Sequence, residues 1–118
     1  MVKLGEVLRL AIEMNATDIH IQVGLPPMFR VRGKLVAHES DALTAEQCEA
    51  LVFSIMSEDQ KKTFGERLDF DFSYGVPGLA RFRINVFRQR GSVAADARDE
   101  AVPPVAGAKA KSTLREYA

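Results

Sequence analysis

A chain of 118 residues and 13.0 kDa can close one hydrophobic core but not two. Its 16 basic and 16 acidic side chains cancel to a formal charge of +0, which excludes nucleic-acid binding driven by bulk charge, though not by a local basic patch. No apolar run approaches the roughly 18 residues of a membrane-spanning helix. The first residues carry Lys3, Glu6, Arg9 and Glu13 where a secretory leader needs an unbroken apolar stretch, and the single cysteine, Cys48, excludes an internal disulfide and a cysteine-cluster metal site.

Leu4, Val7, Leu8, Ala11 and Ile12 recur at the 3.6-residue period and predict a helix, with Asn15 as its stop because asparagine tolerates the left-handed turn. Asp18-Ile19-His20-Ile21-Gln22-Val23 alternates polar and apolar residues, the mark of a half-buried strand. Gly24-Leu25-Pro26-Pro27 ends it, since its prolines lack backbone donors. Met28–Arg32 reads as a second strand, Gly33-Lys34 as a turn and Leu35–His38 as a third strand. Two capping boxes, Thr44-Ala45-Glu46-Gln47 and Ser57-Glu58-Asp59-Gln60, then predict two helices. The first carries the stripe Cys48, Leu51, Val52, Ile55 and Met56; the second ends near Gly65.

A hairpin follows. Phe70, Phe72 and Tyr74 alternate with Asp69, Asp71 and Ser73, and Phe82, Ile84 and Val86 alternate with Arg81, Arg83 and Asn85. A two-residue loop at Pro77-Gly78 would pair Phe72 with Arg83 and mix the faces. A three-residue loop, Val76-Pro77-Gly78, pairs Phe72 with Phe82 and Asp71 with Arg83 and puts Gly78 in the left-handed position. The second is the expected register, with Asp71–Arg83 as a cross-strand ion pair. Ser92–Ala95 opens a last strand, and past Ala97 the period fails. The expectation is therefore an α+β domain over residues 1–97, an antiparallel sheet with helices packed on one side in the order α-β-β-β-α-α-β-β-β, and a disordered or weakly helical tail over 98–118.

No catalytic constellation assembles from these residues. Asp18 and His20 share one strand face and can act as a base and its orienting partner, but two residues seldom make a site, so they read as a structural pair. His20 and His38 lack carboxylates placed to complete a metal site. Gly107-Ala108-Lys109-Ala110-Lys111-Ser112-Thr113 fails the phosphate-loop pattern, because Ala110 stands where the second glycine belongs. The arginines carry more. Arg81, Arg83, Arg88 and Arg90 lie between Leu79 and Ser92 with no acid among them, and Arg30 and Arg32 lie on another predicted strand. Planar guanidinium forks suit phosphate and carboxylate partners. A solvated sheet face balanced by Asp69 and Asp71 is the plainer reading of the same residues.

Several stretches, taken together, resemble one family. They are Ala16-Thr17-Asp18-Ile19-His20, Gly24-Leu25-Pro26-Pro27-Met28-Phe29-Arg30-Val31-Arg32-Gly33, Ser54-Ile55-Met56-Ser57-Glu58-Asp59-Gln60, Leu68-Asp69-Phe70-Asp71-Phe72-Ser73-Tyr74-Gly75-Val76-Pro77-Gly78 and Ala80–Gly91. In order and spacing they are similar to the opening of the PilT/PilU retraction ATPases of type IV pili, relatives of the secretion ATPases. The resemblance covers roughly residues 1–95 and implies a PAS-like N-terminal domain. In the family that domain precedes a RecA-like ATPase domain, which binds ATP and Mg2+ and forms a hexamer in the cytoplasm, at the inner membrane through the pilus machine. It further implies packing on a neighbouring subunit's RecA-like domain, with Arg81, Arg83 and Arg88 as the residues that approach nucleotide or the subunit interface. Asp18, His20, Pro26, Pro27, Arg30 and Arg32 are the matching structural or interface positions. Asp96 departs from the family pattern, which is apolar there, and Asp99-Glu100 replace its linker.

The resemblance thus implies a non-catalytic module, with no cofactor, metal or nucleic acid of its own and no membrane span. Two other expectations compete with it. One is a free-standing regulator or remnant that binds a resident pilus ATPase. The other is a PAS-type sensor holding a small ligand among Met28, Phe70, Phe72 and Phe82. The isolated chain is expected to be a monomer or a weak dimer.

Overall fold

Helix α1 (Leu4–Met14) forms where the apolar stripe predicts it, with Leu4, Val7, Leu8 and Ala11 buried. Asn15 ends it at φ 60°, and its N–H bonds back to the last turn. The computed structural model describes residues 3–100, and its elements follow the predicted order. After α1 come β1 (Asp18–Ile21), β2 (Met28–Val31) and β3 (Lys34–Ala37), then α2 (Ala45–Phe53) and α3 (Glu58–Gly65), then β4 (Asp69–Val76), β5 (Ala80–Gln89) and β6 (Ser92–Asp99). Both capping boxes are closed. The Gln47 and Gln60 amides donate to Thr44 Oγ1 and Ser57 Oγ at 3.1 Å, and each glutamine side chain accepts from its cap residue's N–H at 2.9 Å. Each box contributes on the order of 1 kcal/mol.

The six strands form one antiparallel sheet in the order β3-β2-β1-β6-β5-β4. Its last strand lies at the centre, between the two halves of the chain. Because paired residues share a face, the register sorts the side chains. Phe29, Ile19, Ala97, Ile84 and Phe72 form one row across β2, β1, β6, β5 and β4. Ile21, Ala95, Val86 and Phe70 form the next. These rows meet the helices, and with Cys48, Leu51, Val52, Met56 and Phe64 they make a single core. The alanines of β6 leave room for α2 to lie close across the middle of the sheet. Burial pushes the pKa of the Cys48 thiol up, which keeps it an unreactive core residue.

Three expectations are corrected. First, Arg32 is not a strand residue. The β2–β3 turn is Arg32-Gly33, at φ 53° and 82°, and Lys34 begins β3. Arg90-Gly91 closes β5–β6 in the same way, at 54° and 83°. Positive φ at both central residues matches the twist of the flanking strands, which is why such two-residue turns close hairpins. Second, the β4–β5 loop is Pro77-Gly78-Leu79. It still has three residues, so the apolar face survives, and Gly78 takes the left-handed position at φ 73°. Every pair, however, shifts by two positions: Phe72 faces Ile84, Tyr74 faces Phe82, and Asp71 faces Asn85. Val76 decides the register, because it is 5% exposed in the strand and would leave the core if it joined the loop. The Asp71–Arg83 ion pair therefore does not form; Asn85 Nδ2 donates to Asp71 Oδ1 at 3.0 Å instead. Third, β6 continues through Arg98 and Asp99, because a central strand has a ladder on both sides to hold it. Residues 101–118 of the expected tail, including the rejected phosphate-loop tokens, lie outside the described residues. Among the described residues no helix is long and apolar enough to cross a membrane.

Candidate functional site

The helices cover one face of the sheet; the other is lined by two rows of side chains, all polar except Met28. The first runs Arg30, Asp18, Arg98, Arg83, Ser73 across β2, β1, β6, β5 and β4. The second runs Met28, His20, Asp96, Asn85, Asp71 across the same strands. Arg81 lies one step along β5 from Arg83, and its guanidinium folds over Gly75, where a Cβ would stand 3.9 Å from Nη2.

The first row is electrostatically uneven. Asp18 lies between Arg30 and Arg98, but Arg98 faces Arg83 directly. Like charges opposite each other on a sheet oppose folding. Arg81, Arg83 and Arg98 are exposed, and none has an ion-pair partner among the described residues. Three guanidinium groups are thus presented on one surface with charge to spare for an anionic partner.

Arg88 does not join them. Its position on β5 turns it to the helix side, where its Cζ lies 4.8 Å from the centroid of the Phe64 ring. This cation–π contact at the edge of the core gives it a structural task. Arg32 is exposed in its turn. Arg30 Nη1 reaches the Gly33 carbonyl at 3.3 Å. Pro27 is buried and its carbonyl accepts from the His38 amide at 2.8 Å, while Pro26 is half-buried.

Asp18 and His20 share a face as expected, but they are not partners. Thr17 Oγ1 donates to Asp18 Oδ1 at 2.6 Å, and His20 Nδ1 lies 2.7 Å from Asp96 Oδ1. An ionised carboxylate only accepts, so Nδ1 carries the proton. Nε2 is buried without a hydrogen-bond partner among the described residues. The Asp96 hydrogen bond raises the His20 pKa, assisted by the charges of Asp96 and Asp18 and opposed by burial and by Arg30. A raised histidine pKa means that folding favours the protonated form. The stabilisation is complete below the unfolded value of about 6.5 and fades as pH climbs through the folded one. Asp96 is half exposed, so the gain is less than about 1 kcal/mol. The melting-temperature gap between the native chain and Asp96→Asn should accordingly be wider at about pH 5.5 than at about pH 8.5, by about 5 °C at most. A gap unchanged or wider at the higher pH contradicts this pairing.

The two histidines do not converge on a metal. His20 is on the uncovered face, whereas His38 lies near Phe29, with ring centroids 6.1 Å apart. The sensor pocket fails on the same ground: Met28 shares the His20 face, while Phe70, Phe72 and Phe82 share the helix-covered one, so the four cannot line one cavity. A cleft of about 270 Å³ lies elsewhere, between α1, the end of α2 and the β4–β5 loop, lined by Glu6, Arg9, Ser54, Ile55, Tyr74 and Pro77 among others.

No protein-family model matches the chain. Individual relatives do. The type IV pilus retraction ATPase PilT of Pseudomonas aeruginosa is 43% identical over 86 residues, 73% of this chain and 25% of that protein. The type IV pilus ATPase PilU of the same organism is 33% identical over 88 residues, 75% of this chain and 23% of that protein. A crystal structure of the pilus retraction motor PilT with bound ADP superposes with a TM-score of 0.76 at 42% identity, covering 89% of this chain and 30% of the motor. The chain is a homologue of the N-terminal domain of the PilT/PilU secretion ATPases. It spans about a quarter of the length of the curated relatives it matches.

Asp96 and Arg98 join the site from β6, in addition to the residues that the resemblance offers as site candidates. The signal was present: Ala95-Asp96-Ala97-Arg98 keeps a two-residue alternation, with small residues facing α2 and charged ones facing out.

Proposed function

We propose that this chain serves as the N-terminal, non-catalytic module of a type IV pilus retraction ATPase. In this reading it docks through its uncovered sheet face on a RecA-like ATPase domain of the same or a neighbouring subunit, in the cytoplasm. Homology to PilT supports the module. One observation supports the docking face: Arg81, Arg83 and Arg98 stand together without ion pairs among the described residues, and Arg83 is set against Arg98, a like-charge contact that an anionic neighbour would relieve. Surface carboxylates or the phosphates of a nucleotide held by that neighbour supply such a group. The sequence contains no G-x-x-x-x-G-K-[ST] run, so ATP hydrolysis falls to the RecA-like domain.

A chain that fits this docking position competes with the resident N-terminal domain. Adding the 118-residue chain in excess to Pseudomonas aeruginosa PilT should therefore lower its ATP turnover. An unchanged rate at saturating excess contradicts the proposal.

A further inference from the structure

The sheet has two edges, and they differ in kind. At the β4 edge the strand carries exposed Asp69 and Asp71. At the β3 edge all four residues are exposed, among them Leu35 at 52% and Val36 at 40%. Val23 and Leu25, also exposed, lie on the β1–β2 connection at the end of the sheet where β3 finishes. The His38 amide donates to the Pro27 carbonyl, which fixes the phase of the β2–β3 ladder. Lys34, Val36 and His38 face β2 with their backbone groups. Leu35 and Ala37 turn their N–H and C=O groups outward, without backbone partners among the described residues. An open row of this kind is a template for another strand.

The charges around β3 say which strand. Arg32 and Lys34 stand at its start, Leu35-Val36-Ala37 in its middle, and Glu39 and Asp41 just past its end, all exposed. A basic–apolar–acidic order is complementary to itself when reversed. We propose that a second copy of this chain pairs antiparallel along β3, across a twofold axis perpendicular to the sheet. Leu35 exchanges backbone hydrogen bonds with the partner's Ala37, twice over by symmetry, and Val36 meets its own copy on the axis. Each basic flank then lies beside an acidic one, whereas parallel pairing would set like against like. The axis keeps the helices of both copies on one side and leaves the arginine face free.

Sedimentation equilibrium of the 118-residue chain tests this, from about 10 µM to about 1 mM, the range of weak interfaces. The weight-average mass should rise from 13.0 kDa toward twice that value with concentration and fall back in high salt. Ala37→Pro removes only an outward N–H and spares the β2 ladder, so it should hold the mass at 13.0 kDa. Arg32→Glu with Lys34→Glu, and separately Glu39→Lys with Asp41→Lys, should each yield monomers, and the two variants mixed should dimerise. These exposed changes decide the matter even if Ala37→Pro fails to fold. A mass of 13.0 kDa at every concentration for the native chain overturns the proposal, as does association that survives both charge variants.

Discussion

Replacing Arg83 by glutamate should weaken binding to a PilT-type RecA-like domain at least tenfold, while the melting temperature of the module stays unchanged or rises. Reversing a charge at an interface that matches a basic patch to an acidic one substitutes repulsion for attraction; tenfold corresponds to about 1.4 kcal/mol, the low end for such a change. The stability half of the prediction comes from the sheet itself. Arg83 faces Arg98 across β5 and β6, so a glutamate there exchanges a like-charge pair for an opposite one. A purely structural arginine would show the reverse pattern, lost stability with binding intact. Affinity measurements and thermal melts on the same variant separate the two. Arg88→Glu is the contrasting case, because Arg88 lies over Phe64 on the helix side. Its loss should lower the melting temperature and leave the affinity for a partner on the uncovered face intact.

Truncating Phe82 to alanine should have the largest effect on the fold. Phe82 is 0% exposed, pairs with Tyr74 across β4–β5, and is among the largest fully buried side chains of the described core. Phenylalanine-to-alanine changes at such sites cost about 3–5 kcal/mol, because the cavity left behind closes only in part. For a domain of this size that is a fall of about 15 °C or more in melting temperature. A fall below about 5 °C would mean that Phe82 packs more loosely than the structure shows. Phe70 and Phe72, half-buried and stacked 5.8 Å apart on edge strand β4, should cost less when truncated, since each still touches solvent.

Much of the architecture was legible because local and tertiary signals agree in this chain. The α1 stripe, the Asn15 stop and the two capping boxes are complete within a few residues of sequence, and all of them form. The errors arose where the deciding force was not local. Periodicity assigned the apolar face of the β4–β5 hairpin correctly, since a shift of two residues preserves parity. It could not choose between two three-residue loops, which differ only in whether Val76 stays in the core. Arg32 read as a strand residue because Arg30 and Arg32 alternate around Val31, whereas the turn is set by the twist of two short paired strands. The end of β6 was missed because alanine and aspartate are weak strand formers; the strand is held by neighbours on both sides that no local window includes.

The site was legible to the same degree. An acid-free run of arginines on β5 was visible in the sequence, and alternation separates Arg81 and Arg83 from Arg88 once the strand is accepted. The approach of Arg98 to Arg83 follows from the two-residue Arg90-Gly91 turn once β6 is carried through Arg98. The His20–Asp96 pair required the sheet order, because its members are 76 residues apart in sequence. Asp18 is the nearer acid in sequence, but it is engaged by Thr17. Asp96, on the central strand, is the acid that holds His20.

In the proposed role, the sheet face opposite the helices docks on a RecA-like ATPase domain. The most direct test is an NMR titration of the 118-residue chain with the isolated RecA-like domain of Pseudomonas aeruginosa PilT, following the backbone amides of each strand. The largest shifts should map to Arg81, Arg83, Arg98 and their neighbours Asp18 and Ser73, and in Arg83→Glu they should need at least tenfold more partner. Shifts confined to α2 and α3, or no shifts at saturating partner, would contradict that role.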